Sequence, residues 1–203
     1  RRISFYVSAV GIYAMIAGDL ALGEDFLLEG AALDLAARDN RSRSNALQYL
    51  SMLRVRLGRL GEAEEAAREA LACARQVEDR PASDSCSSPS HLACALDHLG
   101  QVGAALHGFA AADAIERRTD LDGDSLYSTR GVWWADLLFR VGRISEARSL
   151  TAANLAICRR YGWHEDVGDC DILLGRLAAW DRDLPTARRH LDAAETVFRR
   201  GRA

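Results

Sequence analysis

His91, Cys94 and His98 stand three and four residues apart, a spacing that places three metal-ligating side chains on one face of a helix. Cys86 or His107 would complete a tetrahedron. No pattern of supporting carboxylates accompanies them, and isolated His and Cys residues are common in packed helices, so the expectation is no metal. A second cluster runs from Trp163 to Asp171 and sets Glu165, Asp166, Asp169 and Asp171 around His164 and Cys170. Such a set suits a divalent-ion loop or an acid–base pair, but it lacks the alternating oxygen ligands of a calcium loop. It reads as a solvated turn between helices, with Asp169 in the first turn of the helix that follows. No glycine-flanked serine, no local Cys–His signature and no phosphate-cradling glycine loop is present. The sequence therefore predicts no enzyme and no cofactor.

Composition narrows the classes further. The chain has 203 residues, a net charge of −3, and 26 basic residues that are all arginine. That balance gives no reason to expect nucleic acid or an acidic membrane surface as partner. The lysine-free, alanine-rich usage points to a GC-rich coding bias and a bacterial source. The most apolar stretch, Ile3 to Ile16, is too short to span a membrane and is interrupted by Ser4, Ser8 and Gly11. Five cysteines without a CxxC pair predict free thiols and a cytoplasmic protein. The start at Arg1, without a signal segment, is read as a piece of a longer protein.

The elements that position these residues repeat. A glycine, any residue, an aliphatic residue, two more residues and then a small residue recur from Gly18, Gly58, Gly100 and Gly142, with Arg182 in the glycine place of a fifth copy. Successive copies are 40, 42, 42 and 40 residues apart, a period that marks stacked repeats. Seven residues before each anchor stands a small residue (Gly11, Ser51, Ala93, Ala135, Gly175), preceded by a bulky apolar one. A second column after the turn holds Gly30, Ala70, Ala112, Asn154 and Ala194. Small residues in both columns let two antiparallel helices approach closely, and the glycine suits the left-handed residue past a helix end. Asn154 departs from its column and predicts a widened or water-bridged helix contact. Arg182 makes the fifth turn the weakest copy. Arginines that close the second helices, such as Arg75, Arg117 and Arg159, fit the negative end of the helix dipole. Residues 78–90, with Pro81, Pro89 and a run of serines, predict a long loop or a shortened helix. Residues 120–125 predict a shorter break.

These columns resemble the tetratricopeptide repeat (TPR) in an extended form of 40–42 residues. The resemblance is to arrays in bacterial signal-transducing nucleotidases and maltose-regulator-type proteins. It implies an all-α, right-handed solenoid of five helix-turn-helix repeats in a single domain over residues 1–203, with repeats near 3–40, 44–78, 89–119, 126–161 and 168–201. It also implies a concave groove lined by the first helix of each unit. Carried over by register, the groove residues are Asn45, Gln48, Met52, Arg56, Asp97, His98, Asp136, Phe139, Arg140, Arg176 and Trp180. Arg56, His98 and Arg140 share one column and would form a ladder of cations. The expected function is a non-catalytic protein- or peptide-binding sensor or scaffold in a larger bacterial signalling or defence protein. The alternatives are a small-molecule-sensing array of a transcription activator and a purely structural oligomerisation module. The first helix is apolar on almost every face, so Phe5, Tyr6 and Tyr13 are expected to form an interface, including one between copies.

Overall fold

The computed structural model describes residues 2–77, 83–119 and 125–200, and among them there are ten helices and no strand. The helices are α1 (Arg2–Ala17), α2 (Leu20–Ala36), α3 (Asn40–Arg56), α4 (Leu60–Arg75), α5 (Ser83–His98), α6 (Val102–Thr119), α7 (Ser128–Arg140), α8 (Ile144–Tyr161), α9 (His164–Trp180) and α10 (Leu184–Arg200). The all-α solenoid of helix pairs read from the sequence is the fold observed. The chain divides into two compact units, Arg1–Ile115 and Glu116–Ala203. In the first unit α1 packs on α3 and α3 on α5; in the second, α7 packs on α9. First helices thus form a continuous layer within each unit.

One turn serves both within and between pairs. Gly18, Gly58, Gly100, Gly142 and Gly162 all adopt the left-handed conformation, and the following N–H reaches the carbonyl five residues back, as in Asp19 to Ala14 (2.9 Å) and Trp163 to Cys158 (3.0 Å). Arg182 (φ 64°) closes the fifth pair with the same bonds, and Arg38 (φ 54°) does so between α2 and α3. The hydrogen-bond pattern, not the glycine, defines the turn; the two arginines bear a left-handed penalty of about 1–2 kcal/mol each. Past the turn, Asp19 and Asp183 cap the next helix by accepting from Leu22 and Thr186 N–H groups. Arg59 and Arg143 stand in that place elsewhere and instead clamp Glu62 and Glu146 in the first helical turn. The guanidinium of Arg59 holds the Glu62 carboxyl below the usual carboxylate range.

Inside each pair the small columns meet. A Cβ on Gly23 would lie 3.1 Å from the Gly11 carbonyl oxygen and 3.2 Å from the Met15 nitrogen, so backbone packs directly on backbone. The core of the first unit gathers Met15, Leu27, Leu47, Leu50 and Leu53 around this crossing. The second unit builds a core from Leu155, Cys158, Val167 and Cys170. Asn154 corrects the expected widened contact. It is fully buried and clamps Ser128 directly, accepting from its N–H (2.6 Å) and donating to its carbonyl (2.9 Å). That clamp holds Ser128 in the left-handed region (φ 58°), and it leaves no space for a side chain at Gly131.

Residues 83–90 correct another expectation. They are helical, and Pro89 lies inside α5. Ser88 and Ser90 are buried, and the Ser88 hydroxyl accepts from the Gln48 amide (2.9 Å). Packing on α3 overrides the weak helix propensity of the serines and proline. Residues 78–82 and 120–124 of the two expected breaks lie outside the described residues. The first helices of the second and fifth pairs begin at Asn40 and His164, four residues ahead of the 44 and 168 read from the repeat columns.

Asp34 of α2 is buried against α1. Burial pushes its carboxyl above the usual carboxylate range, Asp39 adds to the shift, and the Ser4 hydroxyl opposes it. The folded state therefore binds this proton more readily than the unfolded chain. The contribution to stability falls as pH rises from the ordinary carboxylate range through the raised folded value. Asp34→Asn should raise the melting temperature at pH 7, with the gap to wild type narrowing as the pH is lowered through the acidic range; a gap independent of pH would refute this.

Two helix glycines separate by sign. Gly23→Val should lose about 1–3 kcal/mol in urea unfolding, because backbone atoms block the new side chain. Gly61→Ala, which meets nothing within 4 Å, should gain between a few tenths and about 1 kcal/mol.

Candidate functional site

The groove residues carried over by register fall in both units. In the first unit they lie on α3 and α5. Gln48 is buried, donates to Ser44 (3.2 Å) and Ser88 (2.9 Å), and accepts from Ser87 (2.5 Å). It thus joins α3 to α5 as well as lining a cleft. The cleft has a volume of about 370 Å³, and Arg41, Asn45, Gln48, Ala74 and Ser87 are among its walls. Met52 packs half-buried on the core. The Arg56 guanidinium donates to the Met15 carbonyl near the end of α1 (3.4 Å). Asp97 is half-buried and His98 is exposed at the end of α5.

In the second unit α7 and α9 bring Asp136, Phe139, Arg140, Arg176 and Trp180 together. These positions share one face of each helix because Phe139 and Arg140 follow Asp136 by three and four residues, and Trp180 follows Arg176 by four. Arg140 Nε donates to Asp136 Oδ2 (2.9 Å), and Arg176 Nη1 donates to Asp136 Oδ1. The Arg176 guanidinium lies 5.1 Å from the centre of the Phe139 ring, a cation–π distance. Phe139 in turn meets Trp180 edge-on at 6.0 Å. Trp180 remains 66% exposed. The result is an aromatic shelf beside two guanidiniums that grip opposite oxygens of one carboxylate. Of the expected cation column, Arg56 and His98 belong to the first unit and Arg140 to the second.

The sequence clusters that suggested chemistry are engaged in packing. His91 is buried, with Nδ1 2.8 Å from the Ser87 carbonyl, and Cys94 is buried beside it. Among the described residues no three His, Cys, Asp or Glu side chains converge as a metal site. The segment 163–171 is not a solvated turn. It forms the start of α9, with Glu165 and Asp166 in the first helical turn and Asp169 deeper in the helix. Asp166 accepts from Ser128 (2.8 Å) and Thr129 (2.7 Å) on α7. Asp171 is buried and meets His190 Nδ1 (2.8 Å) on α10.

A feature with no sequence signal lies at the junction of α7, α8 and α9. Trp163 stacks between Tyr127 (5.8 Å) and Tyr161 (5.0 Å). Arg130 lies over Tyr127 (5.2 Å) and Arg160 over Tyr161 (5.4 Å). Tyr161 and Trp163 flank the turn at Gly162, and Tyr127, more than 30 residues earlier, joins them from the start of α7.

No protein-family model matches the chain, and no curated protein does. Solved structures do match. BtubC from P. vanneervenii superposes with a TM-score of 0.65 at 20% identity, over 97% of this chain and 80% of that one. The kinesin light chain TPR-like repeats of Podosopora anserina give 0.61 at 18% identity, over 97% and 95% of the two chains. The Rap conjugation gene regulator of plasmid pLS20, solved with the Phr* peptide, gives 0.69 at 16% identity, over 98% and 63%. The fold is TPR-like. At these identities the likeness is one of fold alone. Among the described residues no helix is long and apolar enough to cross a membrane.

Proposed function

We propose that the chain is a non-catalytic peptide-binding repeat module, the ligand-sensing array of a larger bacterial signalling or defence protein of the cytoplasm. The observation that carries this reading is the α7–α9 face. Exposed Trp and Arg are the side-chain types that dominate binding energy at protein interfaces, and here they sit on a rigid helical layer. The peptide bound by the structurally similar Rap regulator supports the choice of ligand class. His91 and Cys94, the central pair of the His/Cys cluster, are buried in packing contacts, which favours binding over turnover. A random peptide library displayed against the chain should yield binders that lose tenfold or more in affinity, about 1.4 kcal/mol, when Phe139→Ala and Trp180→Ala are combined. Absence of enriched peptides, or binders indifferent to both changes, would overturn the reading.

A second contact surface is proposed on α1. Ile3, Phe5, Tyr6 and Tyr13 are 62–73% exposed, whereas the buried face of α1 is Ser4, Ser8, Gly11 and Met15. By register Tyr6, Val10 and Tyr13 correspond to Ala46, Leu50 and Leu53 of α3, which are buried in the core that α2 and α3 share. The α1 face therefore has the shape of a helix seat, and because residues 3–17 carry no charged side chain two such faces can meet without repulsion between their centres. We assign a second copy of the chain to it. Each apolar side chain so buried contributes roughly 1.5–3 kcal/mol. Sedimentation velocity at high micromolar concentration should show a dimer, and Phe5→Ser with Tyr13→Ser should return a monomer; a monomeric wild type would refute the assignment.

A further inference from the structure

We infer that Cys158 and Cys170 are a redox pair, which hydrogen peroxide closes to a disulfide and a thiol reductant reopens. The two cysteines stand on helices that pack on each other, Cys158 in the last turn of α8 and Cys170 in the second turn of α9. Both are free thiols, fully buried in the same core cluster. They are also hydrogen-bond partners across the crossing. A disulfide demands sulfurs that already meet, because its geometry leaves little room for backbone movement.

The surroundings give the two sulfurs different tasks. Cys170 donates its S–H to Cys158, and the N–H of Ser128, the first residue of α7, bonds the same sulfur. These donors hold the Cys158 thiol below its ordinary range, against burial and the charge of Asp166. The bond to Cys158 pushes Cys170 up, and burial adds to the shift. Cys158 is thus the attacking thiolate and Cys170 the resolving thiol. The Cys158 sulfur attacks one peroxide oxygen: an S–O bond forms, the O–O bond breaks, and the departing hydroxide takes the Cys158 proton to become water. The Cys170 sulfur then attacks the sulfenic sulfur. An S–S bond forms, the S–O bond breaks, and the Cys170 proton leaves with that hydroxide as a second water. The two cysteines lose two electrons and the peroxide gains them. Losing both S–H groups strands no buried acceptor, since Asn154 Oδ1, which accepts from Cys158 (3.3 Å), keeps the Ser128 N–H (2.6 Å). Peroxide, little larger than water, reaches the pair when the helix ends flanking Gly162 open locally.

The test is mass spectrometry of the full, folded chain after exposure to hydrogen peroxide, with remaining thiols alkylated in denaturant. Trypsin cuts after Arg148, Arg159, Arg160 and Arg176, so the bond joins residues 149–159 to residues 161–176. Those peptides should appear linked and should separate on reduction. The linkage should form about tenfold faster, or more, than Cys73 is oxidised, because burial pushes that isolated thiol above its ordinary range. Cys170→Ser should stop at a sulfenic acid on Cys158 that dimedone traps, whereas in Cys158→Ser the Cys170 thiol should react no faster than Cys73. The wild-type linkage is read without any substitution, so a variant that fails to fold leaves the test standing. Absence of the linked peptides, linkage of either cysteine to a different one, or oxidation of Cys73 at the same rate would overturn the pair. Dimedone trapped on Cys170 of Cys158→Ser as fast as on Cys158 of Cys170→Ser would overturn the assigned roles.

Discussion

Two helices reach their closest approach only where neither carries a bulky side chain at the crossing, and the rest of this structure hangs on that contact. Gly11 against Gly23 is its extreme form, where the backbone of one helix touches the backbone of the other. Ser51 shows a polar version, its hydroxyl donating to the Ala63 carbonyl (2.9 Å) across the same crossing. With the crossing fixed, the left-handed turn has one geometry that closes it. Within each unit the next first helix then finds its seat on the previous second helix, as α3 does on α2 and α9 on α8, and residues about 40 positions apart share a face. The groups that meet on α7 and α9 are neighbours for this reason alone: Asp136 and Arg176 occupy one register position in successive repeats.

A second register position shows how variation is absorbed without loss of the frame. It pairs a residue near the start of the first helix with one near the end of the second. In the first repeat it holds Ser4 and the buried Asp34. In the fourth, Ser128 meets Asn154 and Cys158. In the fifth, Gly168 leaves room for the Phe198 ring, whose atoms would stand 2.6 Å from any added Cβ. In the second repeat both members are small, Ser44 and Ala74, and both line the cleft of about 370 Å³. The cleft is thus the space that a larger side chain fills elsewhere. Its polar walls follow from the same choice, since Ser44 bonds the Ala70 carbonyl (2.9 Å) in place of apolar packing.

The features legible in the sequence were those written in local terms and repeated. Turn glycines, the small columns and the helix-pair period each recur often enough to outweigh one substitution, and Arg182 proves the point by making the same turn as the glycines. The repeat register put Asp136, Phe139, Arg140, Arg176 and Trp180 on first helices, but which of them pair was not legible. What escaped was set by single long-range partners. The helicity of residues 83–90 depends on Gln48, roughly 40 positions away. The acidic segment looked solvated because Ser128, Thr129 and His190, which bind it, are distant in the chain. Asn154 looked like a spacer because its partner, the strained Ser128 backbone, has no signature of its own.

Polar residues on first helices, Gln48 in one unit and Asp136 in the other, end with opposite roles because water reaches them differently. Gln48 is walled in by serines, so its amide must be satisfied inside the protein, and removing a partner would leave a buried group unpaired. Asp136 and its arginines are bathed in water, so their bonds contribute little to stability and can be remade with another molecule. Within each unit, then, a walled-in polar group is held by its partners and fixes the geometry, while a water-exposed ion pair adds little to the frame.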